Sequence, residues 1–378
     1  MGQRTSLSLP PQVSSSSGRG RRAGRRRIAA RRRTRCARSP SVVGRESRVR
    51  EAGTRTVVTG AAGFIGSHLC DRLLADGHEV VGIDSFTNYY SRALKDENLA
   101  AARKSRRFAL RRLDLAEADV RWAIEDADVV FHLAGRSGLG VASPAAFGEY
   151  VRDNIVATQR LLDAVVRSGI GRFVYAGSSS VYGDAERLPT KESALPHPLS
   201  TYGATKLAAE NLVLLYGRNF GLPVTVLRYF TVYGPRQRPD MAISRFMRAL
   251  LEGEEIEIHG DGEQTRDFTF VDDVVEATVR SATVDVPVEV VNLGGGSRST
   301  INGLLATLEH VSGRSVRCRR LPAPAPGERH AAASINLARQ RLGWEPRVGL
   351  REGLMRQWDW QAGRSRREIG LTRSAAAV

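Results

Sequence analysis

The chain has 378 residues, 42% hydrophobic and 26% charged, enough for a sizeable core and more than one lobe. Its formal charge of +17 invites a nucleic-acid reading, but residues 1–50 hold fifteen Arg and one acid, Glu46, so the basicity belongs to a tail and not to a face of the fold. Cys36, Cys70 and Cys318 lie far apart without ligand spacing, which argues against a disulfide framework or a bound metal and fits a reducing cytoplasm, and no apolar run reaches the roughly 18 residues of a membrane span.

Residues 1–53 form an Arg- and Ser-rich tail with no apolar period, a composition that predicts disorder. It suits a basic arm touching nucleic acid, an organellar transit segment, or a stretch without function, such as one upstream of the true start. The last is the preferred reading, and the tail is set aside from the fold.

From Arg55 strands and helices alternate. "TRTVVTG" is a first strand and "GFIGSHLCDRLLADG" a helix with a glycine stop. Gly60, Gly63 and Gly66 lie in the turn between them, with Phe64 and Ile65 beside the last. Glycines there allow close backbone approach to a pyrophosphate at the N-terminus of the helix. "HEVVGID" is the second strand and ends in Asp84, 18 residues past Gly66, where a carboxylate accepts ribose hydroxyls and favours NAD over NADP. "RFALRRLDL" follows and places Asp114 and Leu115 beside an adenine. "ADVVFHLAG" is a buried strand; Leu133, Ala134 and Gly135 let the dinucleotide pass, and His132 is packed without a chemical role.

A long helical stretch, "AAFGEYVRDNIVATQRLLDAVVRSG", leads to "RFVYAGS" and to Ser178, Ser179 and Ser180 at a strand end. The helix around "STYGATKLAAENLVLLYG" carries Tyr202 and Lys206 four positions apart, on one face. A phenol titrates at about 10, and a nearby ammonium is expected to lower that value and make a general base. "PVTVLRYF" is the next strand. The alternation predicts an α/β fold: a Rossmann-type doubly wound parallel sheet over 54–230, with ligands beyond the carboxyl ends of its strands. After Phe230 short strands ("EIEIHG", "VEVVNLGG", "SVRCRRL") mix with helices. This reads as a smaller α+β substrate lobe over 231–362, interleaved with the first, then a C-terminal tail over 363–378.

The motifs "TGAAGFIG", "GIDSFTNYY", "FHLAG", "SSSVYG", "STYGATK", "LRYFTVYGPRQRP" and "GDGEQTRDFTFVDD" resemble the extended short-chain dehydrogenase/reductase family, in its nucleotide-sugar epimerase branch. The resemblance covers about Thr56 to Trp360. It implies Tyr202 as base, Lys206 as its partner, Ser178 as the catalytic hydroxyl and Asn154 as the residue ordering the active-site helix. It also implies NAD as a retained cofactor and a homodimer built through helices around 144–168 and 198–217. Dehydratase relatives carry an acid beside the catalytic hydroxyl; Ser179 and Ser180 stand there instead, which disfavours elimination and leaves epimerisation at C4. Thr231 and Arg238 resemble the group that receives a C6 carboxylate, so uridine-diphosphate-glucuronate is the first substrate expected and uridine-diphosphate-glucose the second. Arg238 as a surface or pyrophosphate contact is the competing reading. Arg266 resembles a diphosphate-binding arginine. Glu328 and Ser334 depart from the family's usual Asp, and Gly177 from its small hydroxyl residue. An NAD-binding sensor without turnover is the alternative from another class.

Overall fold

The computed structural model describes residues 53–138, 147–283, 288–323 and 329–375. Seven strands make the central sheet: β1 (Arg55–Thr59), β2 (Glu79–Ile83), β3 (Phe108–Arg111), β4 (Val129–His132), β5 (Arg172–Ser178), β6 (Val224–Tyr229) and β7 (Val288–Leu293). Their order is β7-β6-β5-β4-β1-β2-β3, and every pairing is parallel. The order reverses between β1 and β4, which opens a crevice at their carboxyl ends.

Alternation along the strands builds a core on each face. Val58 and Phe131 pack with Leu69 and Val274, from the helices Phe64–Ala75 and Val271–Ser281. Their neighbours Val57 and Val130 point the other way, onto Leu161 and Val213 of the helices Ala157–Ser168 and Thr201–Phe220. Both faces are covered, so the inner strands read as continuous apolar runs.

Three features differ from the sequence reading. "VEVVNLGG", placed in the smaller lobe, supplies β7 and pairs with β6 from Val288↔Val224 to Leu293↔Tyr229. It is an edge strand whose first three residues are only partly buried, so it lacks the apolar run of its neighbours. The long helical stretch holds a π segment, Val151–Val156, between Phe147–Tyr150 and Ala157–Ser168. The final helix runs from Leu350 to Ala375, through most of the stretch taken as a tail. Among the described residues no helix is long and apolar enough to cross a membrane.

The remaining strands form pairs beyond the sheet. Val232–Tyr233 pairs with Thr269–Phe270, Thr265–Asp267 with Arg298–Thr300, and Ile256–His259 with Cys318–Leu321. The first two pairs bring Thr231 and Arg266 to the mouth of the crevice.

Candidate active site

The crevice holds a cavity of about 650 Å3. Gly60, Gly63, Phe64, Ile65, Gly66, Asp84, Asp114, Leu115, Leu133, Ala134, Gly135 and Asn154 line it, as do Ser178, Ser179, Ser180, Tyr202, Lys206, Thr231, Arg238 and Arg266. Glu328 lies outside the described residues.

At one end the glycine turn is steric necessity. Gly60 has φ +69°, and a Cβ on it would stand 2.8 Å from the Ala134 nitrogen. A Cβ on Gly66 would stand 2.1 Å from the Gly60 oxygen. The helix Phe64–Ala75 then opens with no side-chain cap and no acid in its first turn. Its N–H groups and positive dipole end thus face the cavity, which suits a pyrophosphate. Asp84 is held rigidly: one carboxylate oxygen accepts from Phe86 N (2.8 Å) and Lys95 Nζ (3.3 Å), the other from Ala62 N (3.1 Å). A fixed acid, hydrogen-bonded through Ala62 N to a phosphate cradle free of side chains, fits NAD. Asp114, also on the cavity, accepts from Ala116 N at 2.9 Å and pairs with Arg152.

Asn154 sits in the π segment, where one extra residue per turn re-aims its side chain into the site. Its Oδ1 accepts from Arg136 N (2.8 Å), and its Nδ2 donates to Arg136 O and to Thr205 Oγ1 (both 3.0 Å). It therefore ties the loop after β4 to the helix that bears Tyr202. Thr205 was not singled out from the sequence; it lies within the quoted "STYGATK" but carries no chemical signature of its own.

Tyr202 and Lys206 leave one face of the helix Thr201–Phe220, whose N-cap Ser200 accepts from Gly203 N at 3.0 Å. Ser178 lines the same cavity as the Tyr202 phenol, and its Oγ accepts from Ser180 N at 3.2 Å. Lys206 Nζ donates to Ala176 O at 2.6 Å and stands 4.3 Å over the Tyr175 ring. Burial pushes the Lys206 ammonium down to about 7. The expected lowering of the phenol is absent here. Burial pushes Tyr202 above the ordinary phenol value and outweighs the downward pull of the Ser178 hydrogen bond and the Arg238 charge. The reason is desolvation: a largely buried phenolate loses more hydration than Ser178 and Arg238 return. The resting site therefore holds a neutral phenol.

His132, beneath this group, bonds Thr59 Oγ1 at 2.7 Å and Thr158 Oγ1 at 2.9 Å. Burial, then the Lys206 charge, pushes it down to about 3 from 6.5. Burial pushes His68 down to about 4. The unfolded chain takes up protons below pH 6.5 that these two histidines refuse while folded. Their contribution is thus present above pH 6.5 and fades as pH falls through the acid range. Stability falls between pH 7 and pH 5, with a slope approaching about 1.4 kcal/mol per pH unit for each histidine. Urea unfolding at the two pH values checks this; equal or greater stability at pH 5 contradicts it.

At the far end Arg238 lines the wall. Its Nε and Nη2 donate to the two oxygens of Asp240 at 3.0 and 2.7 Å, and its Nη1 donates to Ser137 Oγ. Its guanidinium lies 5.2 Å from the Tyr89 ring, whose hydroxyl donates to Ser137 O at 3.2 Å. Tyr89 and Ser137 were not assigned from sequence; only the loops after β2 and β4 bring them here. Arg266 donates to Thr265 O (2.8 Å) and Arg329 O (3.3 Å).

The model of the NAD dependent epimerase/dehydratase family matches residues 56–294. A UDP-glucuronate 4-epimerase of Thermodesulfobacterium geofontis (strain OPF15) is 35% identical over 322 residues, covering 84% of this chain and 98% of that protein. YtcB of Bacillus subtilis (strain 168), called an uncharacterized UDP-glucose epimerase, is 40% identical over 304 residues, covering 79% and 95%. The crystal structure of a UDP-glucuronic acid 4-epimerase from Bacillus cereus, with UDP-glucuronic acid and NAD, matches with a TM-score of 0.79 at 40% identity, covering 82% of this chain and 99% of that one. The family match spans more than half of the chain and takes in the glycine turn, Ser178, Tyr202 and Lys206; the chain belongs to the NAD dependent epimerase/dehydratase family.

Proposed function

We propose that this protein epimerises a uridine-diphosphate sugar at C4, with UDP-glucuronate and UDP-galacturonate as the preferred pair and UDP-glucose as the second substrate. One observation carries the reading: Ser178, Tyr202 and Lys206 face the same cavity as the glycine turn, and Ser179 and Ser180 leave no carboxylate beside Ser178. The relatives that act on UDP-glucuronate, or carry the name of a UDP-glucose epimerase, support the choice of sugars.

The glycine turn and Asp84 would hold NAD, which would supply a reversible hydride acceptor and a positive charge that favours ionisation of the phenol. With its phenol first ionised, as the positive charge of bound NAD would favour, Tyr202 takes the proton of the 4-hydroxyl as the alcohol becomes a ketone, and returns it to the opposite epimer. Ser178 hydrogen-bonds the same oxygen and keeps the phenol aimed at it. Lys206 holds the nicotinamide end, one turn further along the helix. Asn154 fixes the backbone on which this group stands. The keto sugar turns about its diphosphate, held by Arg266, so that both faces of C4 meet the same hydride position. Thr231 and Arg238 face its C6 substituent.

The protein is read as a cytoplasmic homodimer, with 54–230 binding the cofactor and 231–362 mainly the sugar nucleotide. Exposed Phe147 (47%), Leu215 (48%) and Phe220 (52%) on the two long helices support that pairing face. Offered UDP-glucuronate and UDP-glucose separately, without added NAD, the protein is expected to form the C4 epimer of the glucuronate faster, as followed by NMR. Conversion of glucose alone removes the carboxylate reading of Arg238. Conversion of neither, with NAD bound, favours a sensor.

A further inference from the structure

A guanidinium meant for a substrate carboxylate would be expected to wait with its fork open. The fork of Arg238 is filled. Asp240, two residues on, takes Nε and Nη2 side-on with both oxygens, at 3.0 and 2.7 Å. The two side chains are 16% and 26% exposed, so the pair is only partly screened by water. Ser137 takes Nη1, and the Tyr89 ring covers one face. Arg136, on that same ring at 5.2 Å, is balanced in turn by Asp153 and Glu149, both at 3.0 Å. The two guanidiniums flanking Tyr89 therefore carry no unbalanced charge.

A carboxylate on C6 has two ways to reach Arg238. It can displace Asp240 from the side-on fork and break a bidentate ion pair. It can also enter end-on, displacing Ser137, and share one guanidinium with Asp240 at like-charge range. Both routes cost binding free energy because of the negative charge of Asp240. A neutral C6 hydroxymethyl group accepts one hydrogen bond end-on and meets neither cost.

We propose that Asp240 is a specificity-determining residue: it competes with the sugar's own carboxylate for Arg238 and sets how far the pocket prefers an acidic sugar over a neutral one. This inference rests on the reading of Arg238 as the residue facing C6. It assigns Asp240 a role against the acidic substrate, where the ion pair taken alone reads as structural support.

The test uses NAD-loaded protein in a Tyr202→Phe background, so that sugars bind without turning over, and calorimetric Kd values for UDP-glucuronate and UDP-glucose. Asp240→Asn keeps the shape and one acceptor but removes the charge. It is expected to tighten UDP-glucuronate by roughly tenfold relative to UDP-glucose. Arg238→Ala is expected to abolish the preference for the acid. If Arg238→Ala does so but Asp240→Asn leaves the ratio unchanged or lowers it, the inference about Asp240 fails alone. If neither variant moves the ratio, the reading of Arg238 fails and the inference fails with it. Thermal melts of both variants confirm that the ratios come from folded protein.

Discussion

Tyr202→Phe is expected to lower kcat by about 10²- to 10⁴-fold while the protein keeps its NAD. The substitution removes one oxygen and nothing else from the cavity wall. Its ring still packs beside Tyr150, at 6.4 Å between centroids, so the pocket keeps its shape. Ser178 keeps its bond from Ser180 N, at 3.2 Å, and still has its hydroxyl proton to give to the substrate oxygen. None of the groups that hold the cofactor changes: the glycine turn, Asp84 and Asn154 are bonded independently of the phenol. The readings are kcat at saturating sugar and the NAD released on denaturation. Activity within about threefold of the wild type would show that the proton leaves by another route.

The second large effect concerns stability. Glu210 and Arg228 form a buried ion pair between the helix Thr201–Phe220 and β6, with side chains 2% and 6% exposed. Arg228 Nε and Nη2 donate to the two Glu210 oxygens at 3.1 and 2.5 Å, and its Nη1 donates to the Tyr182 hydroxyl at 2.6 Å. That hydroxyl donates in turn to Asn292 Oδ1 at 2.7 Å, on β7. The pair thus joins the catalytic helix to two sheet strands. Glu210→Ala leaves a guanidinium in the core without its anion, and is expected to lower stability by about 3–5 kcal/mol. Glu210→Leu combined with Arg228→Met removes both charges together and should recover part of that loss. Denaturant unfolding measures both. A cost below about 1 kcal/mol for the single change would mean that water reaches the pair.

Much of this fold could be read in the sequence because the signals were local. The buried parallel strands are apolar runs, and β5 begins and ends with "RFVYAGS". The glycine turn is marked by residues that tolerate no side chain, and the face shared by Tyr202 and Lys206 follows from helical spacing alone. What stayed hidden depended on contacts between distant segments. β7 has a partly exposed start interrupted by Glu289, and only its pairing with β6 makes it part of the sheet. The π segment that aims Asn154 has no compositional mark. Lys206 turns to Ala176 O, a carbonyl that no motif advertises, and it is burial, which depends on the packed fold, that reversed the expected direction for Tyr202. Asp240 stood in plain view two residues after Arg238, but its grip on the guanidinium depends on a turn in which Arg236 takes φ +63°.

The central claim is that C4 is inverted by hydride leaving and returning within one site. The most direct test incubates UDP-glucuronate with the protein in D₂O, without added NAD, and follows the C4 proton of both epimers by NMR. A hydride cycle inside the cavity predicts that the galacturonate epimer forms with its C4 hydrogen still protium. Deuterium at C4 of the product would mean that the hydrogen leaves as a proton and exchanges with solvent, and the redox mechanism built on Tyr202, Lys206 and Ser178 would be wrong.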